Sequence, residues 1–76
     1  MPLPNMTSVD SSNIESVAYI DGPQELVIKF KSGGKFYKYF GVPREVYESL
    51  VKAPSVGKFF AAQIKSRYKY EQLIPE

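Results

Sequence analysis

Apolar residues recur at two different spacings along this chain, first at every second position and later at every third or fourth. Leu26, Ile28 and Phe30 occupy alternate positions within residues 25–31, residues 35–40 form a second apolar and aromatic run, and residues 14–20 alternate imperfectly. A period of two is typical of β-strands that bury one face. The first part of the chain therefore predicts three strands.

Glycine-containing turns separate the predicted strands and decide which residues face each other. Residues 21–24 contain Gly and Pro, and Gly33-Gly34 is a typical hairpin signal. A two-residue turn at these glycines, or a four-residue loop around them, places Lys29 directly opposite Lys38 and the tyrosines of the third strand on the apolar face. A three-residue loop would exchange the faces. We favour the first register because it keeps lysines out of the core, although it opposes two like charges.

Helical spacing begins after the third predicted strand. Residues 42–51 predict a helix with Pro43 at its first helical position, where the missing N–H costs nothing. Pro54 prevents this helix from continuing, and Ser55 is a good N-cap for a second helix from Val56 to about Arg67. Its apolar stripe recurs at four-residue spacing and consists of Val56, Phe60, Ile64 and Tyr68.

These elements predict an α+β fold, a three-stranded antiparallel meander followed by two helices packed on one sheet face (β-β-β-α-α). The mixed, aperiodic composition of residues 1–12 predicts a flexible N-terminal arm. The single domain is then expected to span residues 13–73, with residues 74–76 as a C-terminal tail. No element is predicted after Arg67.

Cysteine and histidine are both absent from the 76-residue sequence. Their absence removes disulfides, thiolate zinc sites, the thiol nucleophile and the usual general base at neutral pH. Glu45 and Glu48 lie three residues apart on the first predicted helix, and a solvated helix face explains them better than an acid–base pair. We therefore expect no enzymatic activity, no metal site and no cofactor.

The N-terminus has neither the basic residues nor the apolar core of a secretory signal. The longest uninterrupted apolar run is Phe59–Ala62, far shorter than the roughly 20 residues that cross a membrane. The sequence thus predicts a soluble, cytoplasmic protein without a membrane partner.

Charge is distributed unevenly, although the formal net charge is only +2. Residues 1–28 carry four acids and no base, whereas residues 29–70 carry ten bases and two acids, a local balance of +8. Such an asymmetry favours a polyanionic partner such as RNA.

The sheet face away from the helices is the first candidate binding surface. Phe36 and Phe40 alternate there with three lysines, namely Lys29, Lys31 and Lys38. The rings would stack on bases while the lysines contact phosphates. An ordinary sheet face whose lysines discourage aggregation, or a dimer contact through the phenylalanines, explains the same pattern.

The start and the end of the second predicted helix carry the other candidates. At its start, Ser55, Gly57 and Lys58 combine free N–H groups, close approach and positive charge, which suit an anion. A plain N-cap with tight packing at Gly57 is the alternative. Three alternating bases follow near its end, Lys65, Arg67 and Lys69. They form either a binding patch or a solvated helix end that complements the helix dipole.

Tyr37 and Tyr39 raise a separate stacking hypothesis, because RNA-binding sheets use aromatic platforms. The favoured register buries both rings beneath the helices, where core packing explains them. We expect them to be mostly buried, with Lys29 and Lys38 on the opposite face.

An ordered series of short motifs runs through roughly residues 12–73. They are Tyr37-Lys38-Tyr39, Val42-Pro43, the spaced Ala53, Ser55 and Gly57, and the late Ile64 and Tyr68. This series resembles the KTSC domain, a family named after the C-terminal extension of some lysyl-tRNA synthetases that also occurs as stand-alone small bacterial proteins. The resemblance implies the stand-alone form, with RNA binding as a hypothesis drawn from the synthetase context.

Two functional hypotheses follow from the sequence. The leading one is a small RNA-binding or nucleic-acid-binding module that uses the basic residues and the two phenylalanines named above. The alternative is a protein–protein interaction module with Val27, Phe36 and Phe40 as its apolar patch. The two differ in their salt dependence, because phosphate contacts weaken steeply with salt and an apolar contact does not.

Overall fold

The computed structural model describes residues 5–74 and contains one antiparallel sheet with two helices. The elements are β1 (Thr7–Ser8), β2 (Ile14–Ile20), β3 (Glu25–Phe30), β4 (Phe36–Phe40), α1 (Arg44–Lys52), α2 (Val56–Gln63) and β5 (Tyr70–Leu73). The strands lie side by side in chain order from β1 to β5, so the sheet is a meander. The helices enter the chain between β4 and β5.

The sheet has two more strands than the pattern predicted. β1 pairs with β2 inside the segment expected to be an arm, and β5 pairs with β4 where no element was expected. Both are short, and the neighbouring strand rather than a local pattern makes them strands. The α+β class is confirmed, and the three-strand count is wrong. The flexibility of the arm stays a prediction, and residues 1–4 and 75–76 lie outside the described residues.

The β3–β4 hairpin keeps the predicted faces but has a different register. Tyr39 lies opposite Leu26, Lys29 lies opposite Phe36, and Lys38 lies opposite a valine of β3. The expected opposition of Lys29 and Lys38 is therefore wrong. The register differs from the favoured one by two residues, and a shift of two leaves every side chain on its original face.

The shift arises in the turn between β3 and β4. Residues 32–34 form a short 3₁₀ turn, in which Gly33 and Gly34 have φ values of 73° and 60°. Side chains are disfavoured in this left-handed region, and glycine is not. The Phe30 N–H donates a 2.8 Å hydrogen bond to the Lys35 carbonyl, so the turn spans residues 31–34. Its centre lies one residue earlier than the centre of Gly33-Gly34, and this displacement shifts the pairing by two residues.

A β-bulge explains the imperfect alternation of β2. The register shifts between Ile14 and Ser16, which leaves Glu15 as an extra residue on its strand. The bulge reverses the parity of the alternation. Ile14 and Val17, three positions apart, are consequently both buried in the same core.

α1 begins later than the sequence predicted, and α2 ends earlier. Pro43 is the N-cap of α1 and not its first helical residue, because its ψ of 149° is extended. Ser55 caps α2 as predicted, since its side chain accepts a hydrogen bond from the Lys58 backbone N–H. α2 ends at Gln63, four residues before the expected Arg67.

The main core lies between the sheet and the two helices. Its buried residues come from β2, β3, β4, both helices and the adjoining segments, namely Ile14, Val17, Leu26, Ile28, Tyr39, Val42, Leu50, Val56, Phe60 and Ile64. Val56 and Phe60 form the core face of α2 as predicted, and Ile64 is buried just after its end, whereas Tyr68 lies beyond the helix and is half-buried. A second, smaller cluster on the opposite sheet face consists of Ala18, Val27 and Leu73.

Candidate nucleic-acid interface

Two of the three lysines of the first candidate surface form ion pairs. Lys29 Nζ lies 2.8 Å from a carboxylate oxygen of Glu15, and Lys38 Nζ lies 3.3 Å from a carboxylate oxygen of Glu25. Lys29 Nζ is also 5.4 Å from the centre of the Phe36 ring, a cation–π distance. Lys29 and Lys38 do lie on the face opposite to the tyrosines, as expected, but both have carboxylate partners.

The phenylalanines of this surface are half-buried. Phe36 packs against the second cluster, and Phe40 is half-buried at the far end of β4. Val27, predicted to belong to an apolar patch for a protein partner, is fully buried. Glu71 lies directly opposite Lys38 in the sheet. The two lysines of β3 and β4 therefore share this face with three carboxylates, which weakens its attraction for a polyanion.

Gly57 has a packing role at the start of α2. A Cβ atom at this position would lie 2.7 Å from Asn13 Oδ1 and 3.2 Å from Ser11 Oγ. The loop of residues 11–13 thus approaches the helix start closely. The side chain of Ser55 is used to cap the helix, and Lys58 is exposed. The arrangement agrees with the N-cap alternative for these residues.

The other bases predicted to bind are exposed but separated along the fold. Lys31 follows the end of β3, and Lys65, Arg67 and Lys69 lie in the segment between α2 and β5. Of all the predicted binding residues, Lys65 alone lines the cleft that opens beside α2.

That cleft, here called the aromatic cleft, opens between α2 and the strands β3, β4 and β5. Its volume is about 550 Å³. It is lined by five aromatic side chains, two lysines and several small polar residues, namely Asn13, Phe30, Ser32, Lys35, Tyr37, Tyr39, Phe60, Ala61, Lys65, Ser66 and Tyr70. Its volume falls within the range of roughly 300–1,000 Å³ that is usual for small-ligand sites.

The rings of the aromatic cleft form one connected cluster. Tyr70 is 56% exposed and lies 5.7 Å from Tyr37 and 5.4 Å from Tyr39, measured between ring centroids. Tyr39 is buried and makes an edge-to-face contact with Phe60. Tyr37, expected to be mostly buried, is half-buried. The cleft consequently offers two accessible ring faces above a buried floor.

The floor of the cleft stays uncharged across the physiological pH range. Burial, and next the nearby hydroxyls of Tyr70 and Tyr37, raise the pKa of Tyr39 to about 12. A neutral phenol both donates and accepts hydrogen bonds. Tyr39 therefore adds no negative charge to the floor of the cleft.

The rim of the aromatic cleft is positively charged. Lys35 and Lys65 are both exposed, and neither forms an ion pair with a carboxylate of residues 5–74. None of the carboxylates in that range lines the cleft. The cleft thus differs from the opposite sheet face, where carboxylates accompany the lysines.

Sequence reasoning missed most of this site because β5 was not predicted. Tyr70 reaches the cleft only through the pairing of β5 with β4, where it lies opposite Tyr39. Lys35 and Lys65 are thirty positions apart in the sequence and come together only in the folded chain. The one available signal was that residues 70–74 contain no turn-forming residue before Pro75.

The described residues contain neither a metal-binding cluster nor a membrane-spanning helix. Within residues 5–74 there is no group of three or more Asp or Glu side chains arranged to hold a metal ion. No helix in that part of the chain is long and apolar enough to cross a membrane. The expectation that the chain is not an enzyme stays a prediction.

The fold and the cleft define a small α+β domain with a five-stranded meander sheet, a two-helix layer and an open aromatic cleft beside α2. The KTSC domain model matches residues 10–68 of the sequence. The chain belongs to the KTSC domain family, and the resemblance found in the sequence is confirmed.

Similar proteins include both long and short chains. A lysine–tRNA ligase from Nostoc punctiforme is 44% identical over 64 residues, which are 84% of this chain and 11% of the ligase. A protein from Tsukamurella paurometabola is 39% identical over 64 residues, 84% of this chain and 94% of that protein. This chain therefore spans about a tenth of the length of the curated ligases that it matches and nearly the whole of a small relative.

A solved structure has the same fold. The crystal structure of a KTSC domain protein from Yersinia pestis superposes with a TM-score of 0.88 at 31% sequence identity. The superposition covers 92% of this chain and 97% of that one. Nearly all of the fold described above is thus shared with this family member.

Proposed function

We propose that this KTSC domain binds single-stranded RNA in the aromatic cleft. The observation that carries the proposal is the pairing of partly exposed tyrosine rings with two lysines at a rim that no carboxylate of residues 5–74 lines. Tyr37 and Tyr70 would stack on unpaired bases, and Lys35 and Lys65 would contact the flanking phosphates. Aromatic stacking combined with backbone neutralisation is the usual way in which proteins hold single strands.

The similar proteins support RNA as the nucleic acid. The relatives named lysine–tRNA ligase carry a domain like this one in a chain whose name specifies a tRNA substrate. A single strand fits the cleft better than a duplex, because bases inside a duplex are stacked on one another and do not present their faces. Loops and ends of a folded RNA are therefore the expected targets.

The charge of the rim is tested by changing both of its lysines. Lys35→Gln combined with Lys65→Gln should weaken the binding of a short single-stranded RNA and reduce the salt slope by about 1–2 units. The control is Lys52→Gln combined with Lys58→Gln, which removes the same charge from exposed positions outside the cleft. NMR titrations at low and moderate salt give both quantities. Equal effects of the two double variants would place the site elsewhere.

The stacking contribution is tested by replacing the exposed ring. Tyr70→Leu keeps an apolar side chain on β5 and should weaken RNA binding by about 1–3 kcal/mol, with little change in the salt slope. Tyr47→Leu is the matched control, because Tyr47 stacks on Tyr19 at 5.2 Å and lies outside the cleft. If the wild-type protein shows no perturbation of its NMR spectrum by RNA at low salt, the proposal is wrong.

A further inference from the structure

A second cleft lies on the outer side of the helices. It has a volume of about 340 Å³ and is here called the interhelix cleft. Its lining residues come from α1, α2 and the segment that follows α2, namely Glu45, Val46, Ser49, Phe59, Gln63, Arg67 and Tyr68. Like the aromatic cleft, it combines aromatic side chains, here Phe59 and Tyr68, with a basic side chain, Arg67, and with uncharged polar groups.

The two clefts share one segment of chain. After α2 ends, Lys65 and Ser66 line the aromatic cleft, whereas Arg67 and Tyr68 line the interhelix cleft. One basic side chain therefore lies at each cleft, and these two residues, Lys65 and Arg67, are two positions apart in the same turn. Lys65 and Arg67 both lie in the turn that follows α2, which ends at Gln63.

We infer that an RNA strand held in the aromatic cleft continues over the Lys65–Arg67 turn and places a further nucleotide in the interhelix cleft. The inference rests on the proposed function and extends it from one subsite to two. Lys65 and Arg67 would contact successive phosphates on the outside of the turn. Phe59 and Tyr68, both half-buried, would form the apolar surface beneath the second base.

The polar groups of the interhelix cleft suit a base better than a phosphate. Glu45 is exposed there and its carboxylate repels a phosphate, but it accepts hydrogen bonds from an amino group on a base. Gln63 and Ser49 add a donor and an acceptor each. Arg67 remains as the phosphate contact of this subsite. Cytosine, whose amino group is a donor, is accordingly a suitable probe base.

Oligonucleotide length separates the two subsites experimentally. The cytidine dinucleotide should occupy only the aromatic cleft, and the cytidine hexamer should reach both clefts. Arg67→Gln should weaken hexamer binding at least about threefold at low salt and reduce its salt slope by about 0.7, while dinucleotide binding is unchanged. Arg67→Lys should restore most of the hexamer affinity because it keeps the charge. Lys52→Gln, which removes one charge outside both clefts, is the control.

NMR shifts give an independent readout of the path. The hexamer should perturb Ser49, Gln63 and Tyr68, and the dinucleotide should not. If Arg67→Gln affects the hexamer no more than Lys52→Gln does, or if these three residues do not respond to the hexamer, the strand does not continue and the inference fails. Perturbation of Tyr37 and Tyr70 would then still support the aromatic cleft, whereas an absence of any binding would overturn the proposed function itself.

Discussion

Tyr39 joins the core of the domain to the floor of the aromatic cleft. Its ring contacts both Phe60 and the exposed Tyr70, and its pKa is raised to about 12, chiefly by burial. The folded-state pKa thus exceeds the unfolded value of about 10. The shift contributes its full stabilisation of the folded state below the pKa that Tyr39 has in the unfolded chain. That contribution is lost as the pH rises towards the folded-state pKa, because the unfolded chain ionises first.

We expect the free energy of unfolding to fall by about 2–3 kcal/mol between pH ~10 and ~12 on account of Tyr39. Tyr39→Phe should make this fall smaller, and urea unfolding at several alkaline pH values measures it. Part of the fall should remain in the variant, because burial and Asp21 also raise the pKa of Tyr19. Identical pH dependence in the two proteins would show that Tyr39 ionises as an exposed tyrosine does.

Gly57 allows the loop before β2 to contact the start of α2. An alanine Cβ there would displace the Asn13 side chain and break its 3.0 Å hydrogen bond from the Ser11 hydroxyl. Gly57→Ala should therefore bring no stabilisation to the wild-type protein, although alanine is the better helix former by about 1 kcal/mol. In an Asn13→Ala background the same change should stabilise by about 0.5–1 kcal/mol.

A double-mutant cycle by thermal or urea unfolding measures this coupling. Equal effects of Gly57→Ala in the two backgrounds would mean that the loop does not restrict the helix start. The packing explanation for Gly57 would then be wrong, and anion binding by Ser55, Gly57 and Lys58 would be the remaining explanation.

Two ion pairs connect β3 with its neighbouring strands, and they differ in burial. Lys29 pairs with Glu15 of β2, and Lys38 of β4 pairs with Glu25. The side chains of Lys38 and Glu25 are 12% and 18% exposed, whereas those of Lys29 and Glu15 are 29% and 48% exposed. Removing one partner of a buried pair leaves an uncompensated charge away from water, and an exposed charge is solvated instead.

Lys38→Gln should consequently destabilise the domain by about 1–3 kcal/mol, and Lys29→Gln by less than about 1 kcal/mol. Urea unfolding of the two single variants compares them under one condition. A larger effect at Lys29 would contradict the burial argument. The favoured register placed these two lysines opposite each other, so removing their charges would have relieved repulsion. In the observed structure each lysine instead has a carboxylate partner that its removal would leave unpaired.

The last strand closes the second cluster of the molecule. Leu73 is 8% exposed beside Ala18 and Val27, whereas its neighbour Ile74 is 83% exposed. Leu73→Ala should cost about 2–3 kcal/mol of unfolding free energy, because it removes buried apolar volume. Ile74→Ala, a change of similar size one residue later, should change stability by less than about 0.5 kcal/mol.

Chemical unfolding of these two variants tests whether β5 belongs to the cooperative unit. If Leu73→Ala unfolds like the wild-type protein, β5 frays independently of the domain. Tyr70 would then be absent from the cleft for part of the time, and the affinity for RNA would be lower than that of a cleft with β5 always paired.

Periodicity predicted the interior of this domain well because burial acts on local spacing. The face that carries Tyr37 and Tyr39, the stripe of α2 and the Ser55 cap all follow from alternation or helical spacing along a continuous segment. A register error of two residues left these assignments intact, since it preserves parity. The same logic failed at β2, where a bulge at Glu15 changes the parity.

The sequence by itself determined the α+β class, the core faces of β3, β4 and α2, the uneven distribution of charge and the family. Only the tertiary structure decided that Tyr70 and Lys35 join Tyr37 and Lys65 in one cleft, and that Lys29 and Lys38 are paired with carboxylates. β1 and β5 are too short to be specified by their own residues and exist through pairing with β2 and β4. Binding sites of this kind depend on contacts between distant segments, whereas spacing along the chain reports only on the face that each segment buries.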